Sequence, residues 1–380
     1  MSNITKMKHK LFILISFILL SGTVFGQPGY IRQSVNLNNL LENDARLNQQ
    51  HPDIYQLSLI IDEKTTDFSK LDLLKNHKEL SFEIYTKNFP KEFNTIVFDS
   101  INKVYFSCND ITTDLSNIKG FKNAKEISIH NFAGTKLPKS FRDFNGLETF
   151  HIASSMNINN IDALENVESL RFVTIDCSSL KAFPTFNQKV QISHIKLNSV
   201  HNNLDFKNLN TLQKLGGVEI TIPYELKEFP DYLSKDLKQI LISGNILSVS
   251  NLTIYQNIEY IRIATTNLER FDVDFKGNTS IKNIGIFNNP KLKNIDAVYS
   301  CKGLEYLSLT ALPSLEEFNL KNLNLKQGLS ISSTGIKTIK PIEKLKKISY
   351  LSIQHNDYLK IDLESKGSKR DIFNNGKLVK

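Results

Sequence analysis

The stretch Leu237 to Leu247, L-K-Q-I-L-I-S-G-N-I-L, returns in variant form every 21 to 24 residues along most of the chain. That period constrains the fold more than any other property. Leu237, Ile240 and Ile242 stand at offsets 0, 3 and 5 of the unit, and Asn245 and Leu247 at offsets 8 and 10. Apolar residues alternating with polar ones around offsets 3 and 5 predict a short strand with one buried face. An Asn at offset 8 can turn inward and bond loop backbone that the following bend would leave unpaired. Offset 0 falls at Ile54, His77, Ile101, Ala124, Leu147, Leu170, Ile192, Leu215, Leu237, Ile258, Ile281, Leu304, Lys326 and Ile348, which makes fourteen units. The units at Leu170, Leu237, Ile281 and Ile348 are spelled best, and those at His77 and Lys326 open on a polar residue.

Fourteen copies of L-x-x-L-x-L-x-x-N in register resemble the leucine-rich repeat family over residues 54–361. The resemblance implies an α/β solenoid, a horseshoe with one short parallel strand per repeat on its concave side and irregular or short helical pieces on its convex side. Phe89-Pro90, Leu137-Pro138, Phe183-Pro184 and Phe229-Pro230 follow the strand in alternate units. Proline fixes an extended turn and lacks an N–H, which suits an irregular convex side. Ile161-Asp162-Ala163-Leu164, Ile295-Asp296-Ala297-Val298 and Ile339-Lys340-Pro341-Ile342 form a second spelling, loosely similar to the internalin-type repeats of exported bacterial proteins. At offset 8 only Asn109, Asn245, Asn289 and Asn356 are amides, Ser155, Ser178, Thr266 and Thr334 are partial substitutes, and Phe132, Val200, Pro223 and Leu312 cannot donate. A broken amide ladder predicts locally irregular curvature. One repeat buries too little apolar surface to offset the ordering of its own backbone, so the array is expected to be a single domain.

The flanks read differently. Lys6, Lys8 and Lys10 precede the apolar run Leu11 to Leu20, and Val24-Phe25-Gly26 suits cleavage before Gln27, so residues 1–26 are expected to be a signal peptide. An uncleaved anchor is the alternative, though the run is short for a full span. Residues 27–53 are expected to be a helical cap, with a helix from Val35 to Gln50 that Ser34 caps and His51-Pro52 ends. A cap would cover the open edge and first core layer of the array. Residues 362–380 are a basic tail or a second cap, in which Ile372, Phe373 and Leu378 can fold back. Without residues 1–26 the formal charge falls from +8 to +5, because three Lys and no acidic residue are lost. That excess is too small to point to nucleic acid. No further apolar run is long enough to span a membrane after cleavage.

The repeat register assigns faces, with offsets 2, 4 and 6 turned to the concave side. Those offsets hold Tyr105, His130, His151, Phe172, Asp176, His194, Lys196, Glu219, Tyr260, Arg262, Tyr306 and Tyr350. Aromatic and Arg side chains on a rigid sheet are the groups that protein-binding hot spots use. Tyr260, Tyr306 and Tyr350 repeat at offset 2 in every second unit, a spacing that strand packing alone also favours. His130, His151 and His194 lie on a diagonal, but His194 is too far along for the three to share one metal ion, and no metal site is expected.

Cys108, Cys177 and Cys301 match no zinc spacing. Cys108 and Cys177 share offset 7 three units apart, about 14 Å, beyond the reach of a disulfide. Intermolecular pairing stays open. No G-x-S-x-G, H-E-x-x-H, G-x-x-x-x-G-K-S/T or C-x-x-C occurs, and no cofactor is implied. Asn251 and Asn278 open sequons that matter only if the source glycosylates. The sequence therefore predicts an exported, non-catalytic recognition protein that binds a macromolecule, most readily a protein, through the concave face. An envelope structural or adhesive protein that binds glycan or another surface polymer is the alternative. Periplasm, cell surface and medium are all compatible destinations, and oligomeric state is left open.

Overall fold

The computed structural model describes residues 31–40, 55–340, 348–356, 359, 372–374 and 377–379, with breaks at 111–112, 156, 200–202, 276–277, 322, 324 and 326. The expected signal peptide, residues 1–26, and most of the basic tail lie outside the described residues.

One sheet of seventeen strands runs through the chain. Each strand lies parallel to the next, from Ile31–Asn36 through Tyr55–Ile61, Glu79–Ile84 and onward to Gly328–Thr334 and Tyr350–Gln354. Offsets match across neighbours: Phe82 pairs with Phe106, Phe106 with Ile129 and Ile129 with Ile152. Offsets 3 and 5 point into one continuous apolar stack, and offsets 2, 4 and 6 point away from it. No rung could bury its inner face alone, so the rungs hold one another in place. This is the parallel horseshoe that the repeat period predicts.

The convex side is built from single turns. The 3-10 helices Lys91–Asn94 and Lys139–Asp143 start directly after Pro90 and Pro138, whose missing N–H costs nothing at a helix start. Asp162–Leu164 is also 3-10, and Asp296–Ser300 is one α-helical turn. Thr338–Lys340 differs from these two: it is a strand paired with Glu317–Asn319. The Phe-Pro segments are tied to the following unit through side-chain amides. The Nδ2 groups of Asn117, Asn208 and Asn251 donate to the carbonyls of Phe89, Phe183 and Phe229 at 2.7, 2.7 and 3.0 Å.

The bend after each strand comes in two forms, and offset 7 decides which. In one form offset 7 is an ordinary buried residue: Ile61, Ile84, Cys108, Cys177 and Ile222. In the other it takes a positive φ, as at Asn131, Ser154, Ser199, Thr265, Asn288, Ala311, Ser333 and His355, all between 51° and 57°. A left-handed residue costs about 1–2 kcal/mol, but it turns the next side chain inward. Phe132, Ser155, Thr266, Asn289, Leu312, Thr334 and Asn356 at offset 8 are accordingly buried.

This corrects part of the expected inner ladder. Asn109 is exposed and Ser178 only partly buried, because Cys108 and Cys177 take the inward place. Asn245 and Leu247 do not face the core either. Gly244 has φ +95° and the register shifts between Gly244 and Ile246, so Ile246 turns in while Leu247 is 44% exposed. A Cβ at Gly244 would run into the Ile222 carbonyl oxygen, so the bend there needs glycine. Two long strands, Gly217–Leu226 and Gln239–Ile246, meet at this point.

The N-terminal end differs from the flank expected above, and the described residues of the C-terminal end fold back on the last rung. Residues 31–36 form a strand, not the start of a helical cap, and Leu37–Asn39 is one 3-10 turn that Asn36, not Ser34, caps. Leu37 and Leu40 reproduce helical spacing, yet the same pair fits a strand followed by a tight turn. The Ser34 hydroxyl instead donates to Glu83 Oε1 at 2.6 Å across the sheet. Residues 41–53 lie outside the described residues. At the other end Ile372–Asn374 pairs with Tyr350–Gln354 at Ser352–Phe373 and forms an antiparallel hairpin with Lys377–Val379.

Candidate binding surface

All twelve predicted surface residues stand on strands of the one sheet, on the side turned away from the apolar stack. His151, Lys196 and Arg262, successively two and three strands apart, share that side at offset 4. The structure gathers the twelve into small groups. Tyr105 and His130 have ring centroids 4.7 Å apart, and His130 and His151 meet edge to face at 5.2 Å. Phe172 stacks on His194 at 5.4 Å, 21° from parallel, and remains 41% exposed. The Lys196 ammonium lies 3.0 Å from the Glu219 carboxylate, with both side chains about one quarter exposed. His194 Nε2 also reaches Gln239 Oε1 at 3.4 Å.

Arg262 has a partner that the sequence reading left out. Its guanidinium carbon lies 5.2 Å from the centre of the Phe287 ring, a cation–π contact between neighbouring strands. Phe287 stands at offset 6 of its unit, so the register that found Arg262 contained the signal for it. Glycines were the second omission. Gly217 lies under the His194 ring and Gly285 under the Phe287 ring, where a methyl group would collide with the rings. Absent side chains let those rings lie down on the sheet.

Burial governs the electrostatics. His151 titrates below the usual histidine range, chiefly because it is buried; Glu126 and Asp176 pull it up, and Lys196 and Lys103 push it down. His194 is lowered by burial and partly restored by Gln239. Both rings are therefore neutral near pH 7. Tyr260 and Tyr306 are raised by burial. The thiols of Cys108, Cys177 and Cys301 are buried, unpaired and pushed up to about 12 by loss of solvent. Such thiols are poor nucleophiles. Among the described residues, no group of three or more His, Cys, Asp and Glu side chains is arranged to hold a metal ion. Two surface depressions, one bounded by Leu71 and Asp99 and one by Asn210 and Asp236, lie away from this face among the convex turns.

The sequons fare unequally as acceptors. Asn278 is buried, with Nδ2 donating to the Tyr255 carbonyl at 3.1 Å and Oδ1 accepting from Ser280 N–H at 2.8 Å. A glycan on Nδ2 would have to displace its bond to Tyr255 O. Asn251 donates to Phe229 O and is only partly buried.

No protein-family model matches the sequence, and no curated protein does. Among solved structures, a leucine-rich repeat protein of Leptospira interrogans superposes with a TM-score of 0.60 at 20% identity, covering 86% of this chain and 83% of that one. The chain is a leucine-rich repeat solenoid. Two further structures match the solenoid more loosely. An internalin of Listeria monocytogenes gives a TM-score of 0.46 at 12% identity, over 84% of this chain and 82% of that one. A leucine-rich repeat protein of Bacteroides eggerthii gives 0.39 at 14% identity, over 81% of this chain and 64% of that one. No helix among the described residues of the solenoid is long and apolar enough to cross a membrane.

Proposed function

We propose that this solenoid is an exported, non-catalytic recognition protein whose concave face binds a protein partner. One observation carries the reading: an uninterrupted, register-locked sheet presents Phe172, His194, Lys196 and Glu219 side by side on its outward face, with Phe172 left 41% exposed. A large ring beside a pre-formed ion pair on a rigid support loses little freedom on binding, which is how aromatic anchors reach useful affinity. The buried thiols, held near 12, support a role without covalent catalysis. Export rests on the reading of residues 1–26.

Two measurements test the proposal. Mass spectrometry of the native protein should find an N-terminus at Gln27; an intact Met1 or Ser2 start on membrane-bound protein would mean an uncleaved anchor, and the same start on cytosolic protein would remove export. Cross-linking in the source cells should yield a protein partner for the wild type. The variant Phe172→Ala, Tyr260→Ala, Arg262→Ala should fold but lose at least tenfold in affinity for it. Undiminished affinity would place the contact elsewhere. A glycan array run in parallel on the wild type and the triple variant tests the envelope-polymer alternative, which requires that glycan binding be lost with Phe172, Tyr260 and Arg262.

A further inference from the structure

The outward face changes its chemistry part-way along the solenoid. From Glu79 to Arg262 every strand carries a charged outward side chain, except those through His151 and Leu241. On the next four, Asn283–Phe287, Tyr306–Leu312, Gly328–Thr334 and Tyr350–Gln354, no outward position holds an Asp, Glu, Lys or Arg. Charges reappear only at the rim where the strands begin, at Lys282 and Glu305, and Glu305 there accepts a hydrogen bond from Gln327.

What replaces charge is flat aromatic surface and hydroxyl. Gly328 sits between Tyr306 and Tyr350 in the register. A Cβ on Gly328 would stand 2.7 Å from Tyr306 Cδ2 and 3.2 Å from Tyr350 Cδ1, so both rings lean over it from opposite sides. The Ser330 side chain lies within reach of the Tyr306 hydroxyl, diagonally across the sheet. Tyr350 is 53% exposed. Phe287 lies over Gly285 in the same way. The Tyr306 and Tyr350 rings lie against the Gly328 backbone and are partly and largely open to solvent, whereas the Phe287 ring also carries the Arg262 guanidinium. Ser308 and Ser352 at offset 4 are buried beside these rings, whereas Asn283, Thr310, Ser332 and Gln354 at offsets 2 and 6 are at least partly open to solvent.

We infer that these four strands form a second site, separate from the charged protein-binding face, for a neutral oligosaccharide chain lying across the strands. The faces of Tyr306 and Tyr350 would stack on its pyranose rings, while the surrounding Ser, Asn and Gln side chains meet its hydroxyls. Three physical points favour a sugar over a peptide. An uncharged surface gains nothing from the charged side chains and termini that most peptides carry. A flat ring with one free face matches the C–H side of a pyranose, as ring-on-ring stacking does for other planar ligands. Tyr306 and Tyr350 rise from strands about 9–10 Å apart at 4.8 Å per strand and lean together over Gly328, so the two rings can meet neighbouring pyranose units of one chain.

The test uses the full mature chain and isothermal titration calorimetry. The probes are neutral hexasaccharides of β-1,4-glucose, α-1,4-glucose, β-1,4-mannose and β-1,4-N-acetylglucosamine, with oligogalacturonate and an uncharged hexapeptide as controls. At least one neutral hexasaccharide should bind. Tyr306→Ala with Tyr350→Ala should weaken it at least tenfold, while Phe172→Ala leaves it unchanged. Tyr350→Phe, which keeps the ring and loses the hydroxyl, should cost less than threefold. Circular dichroism and urea midpoints check that the variants fold, and Gly328→Ala offers an independent way to displace the two rings. Absence of binding by every neutral hexasaccharide overturns the inference. So does equal or tighter binding of oligogalacturonate or the peptide, and so does binding that survives loss of both tyrosines. None of these outcomes bears on the partner of the Phe172 face.

Discussion

The first rungs and the last rungs solve the same structural problem with different materials. Near the N-terminus the stack is aromatic. Phe82 packs against Phe89, Phe93, Phe106 and Phe121 with centroids 5.4 to 5.6 Å apart, and Phe98 stacks on Phe121 at 4.7 Å. Offset 7 there is apolar and goes in, and the strand ladder simply runs one residue further, with Tyr85 N–H donating to Ile61 O at 2.8 Å and Asn109 N–H to Ile84 O at 2.7 Å. Toward the C-terminus the inner strand positions are Ile and Leu, and the bend is held by side chains. Asn289 accepts from the Thr266 N–H and hydroxyl and donates to Ile263 O at 3.3 Å and Phe287 O at 2.8 Å. Asn356 does the same for Thr334, Ile331 and Gln354. Bulk fills one end, and directed hydrogen bonds fasten the other. The outward face changes too, from charged to neutral. Strand spacing is common to both ends, so the scaffold stays continuous while its two surfaces diverge.

The largest effect should come from removing bulk at the aromatic end. Phe82→Ala leaves a cavity beneath four neighbouring rings and should cost about 3–5 kcal/mol. A shift in the urea midpoint with unchanged slope would show it. A cost below 1 kcal/mol would mean that the rings close over the gap and that the aromatic stack is not what holds those rungs. The next effect belongs to the fastened end. Asn289→Ala strands the Thr266 N–H and two carbonyls in the core and should cost about 2–4 kcal/mol. Asn109→Ala, at the same offset but exposed, should stay within about 0.5 kcal/mol. Equal costs for the two Asn changes would break the distinction between the bends.

Much of this was legible in the repeat. Offsets 0, 3 and 5 gave the inner strand positions, and offsets 2, 4 and 6 put all twelve predicted surface residues on one side of one sheet. The misreadings at the bends share a cause: the alphabet at offsets 7 and 8 is ambiguous without φ. Asn109 and Asn289 occupy the same place in the spelling. Cys108 before the first is small and apolar and goes in, whereas Asn288 before the second tolerates a left-handed turn and sends Asn289 in. Gly244 allowed a third path that turned Ile246 in and Leu247 out. The start of the helix expected from Val35 is a strand and a tight turn instead, because Leu37 and Leu40 satisfy both patterns equally and only the pairing of Ser34 with Ser58 decides between them. The Phe287–Arg262 contact was readable from the register, but the glycine seats under the rings were not, since a missing side chain marks no position by itself.

Acid should separate the two ends. His77 is buried among the first rungs, and burial holds it below the ordinary value of 6.5. Above that pH it is neutral both folded and unfolded. As pH falls below 6.5 the unfolded chain takes up the proton first, so stability is lost progressively until the lower folded value is passed. His151 and His194, also lowered chiefly by burial, act in the same direction. Beyond Ile258 the chain has a single histidine, His355, which is exposed at a bend. Urea midpoints at pH 7.5 and 5.5 should therefore fall, and His77→Gln should flatten the dependence. A midpoint that rises on acidification would reverse the assigned sign.

The smallest effect is expected at neutral pH, where the two ends should give way together. Cys108 reports on the aromatic rungs and Cys301 on the fastened ones, where its Sγ donates to Ala297 O at 3.4 Å. Both thiols are buried and held near 12, so a thiol reagent at pH 8 should label neither in the folded protein. In rising urea at pH 7.5 each becomes reactive only when its own rungs open. Among the described residues the buried apolar side chains form one continuous cluster through the rungs, so opening one end exposes the neighbouring layer and carries the transition along. Mass-resolved labelling should thus give one midpoint for Cys108 and Cys301 at pH 7.5, and an earlier Cys108 midpoint at pH 5.5 as His77 charges. An earlier midpoint for either thiol at pH 7.5 would show that bulk and hydrogen bonding hold the rungs unequally even without a protonation difference, and that the solenoid unfolds as two bodies.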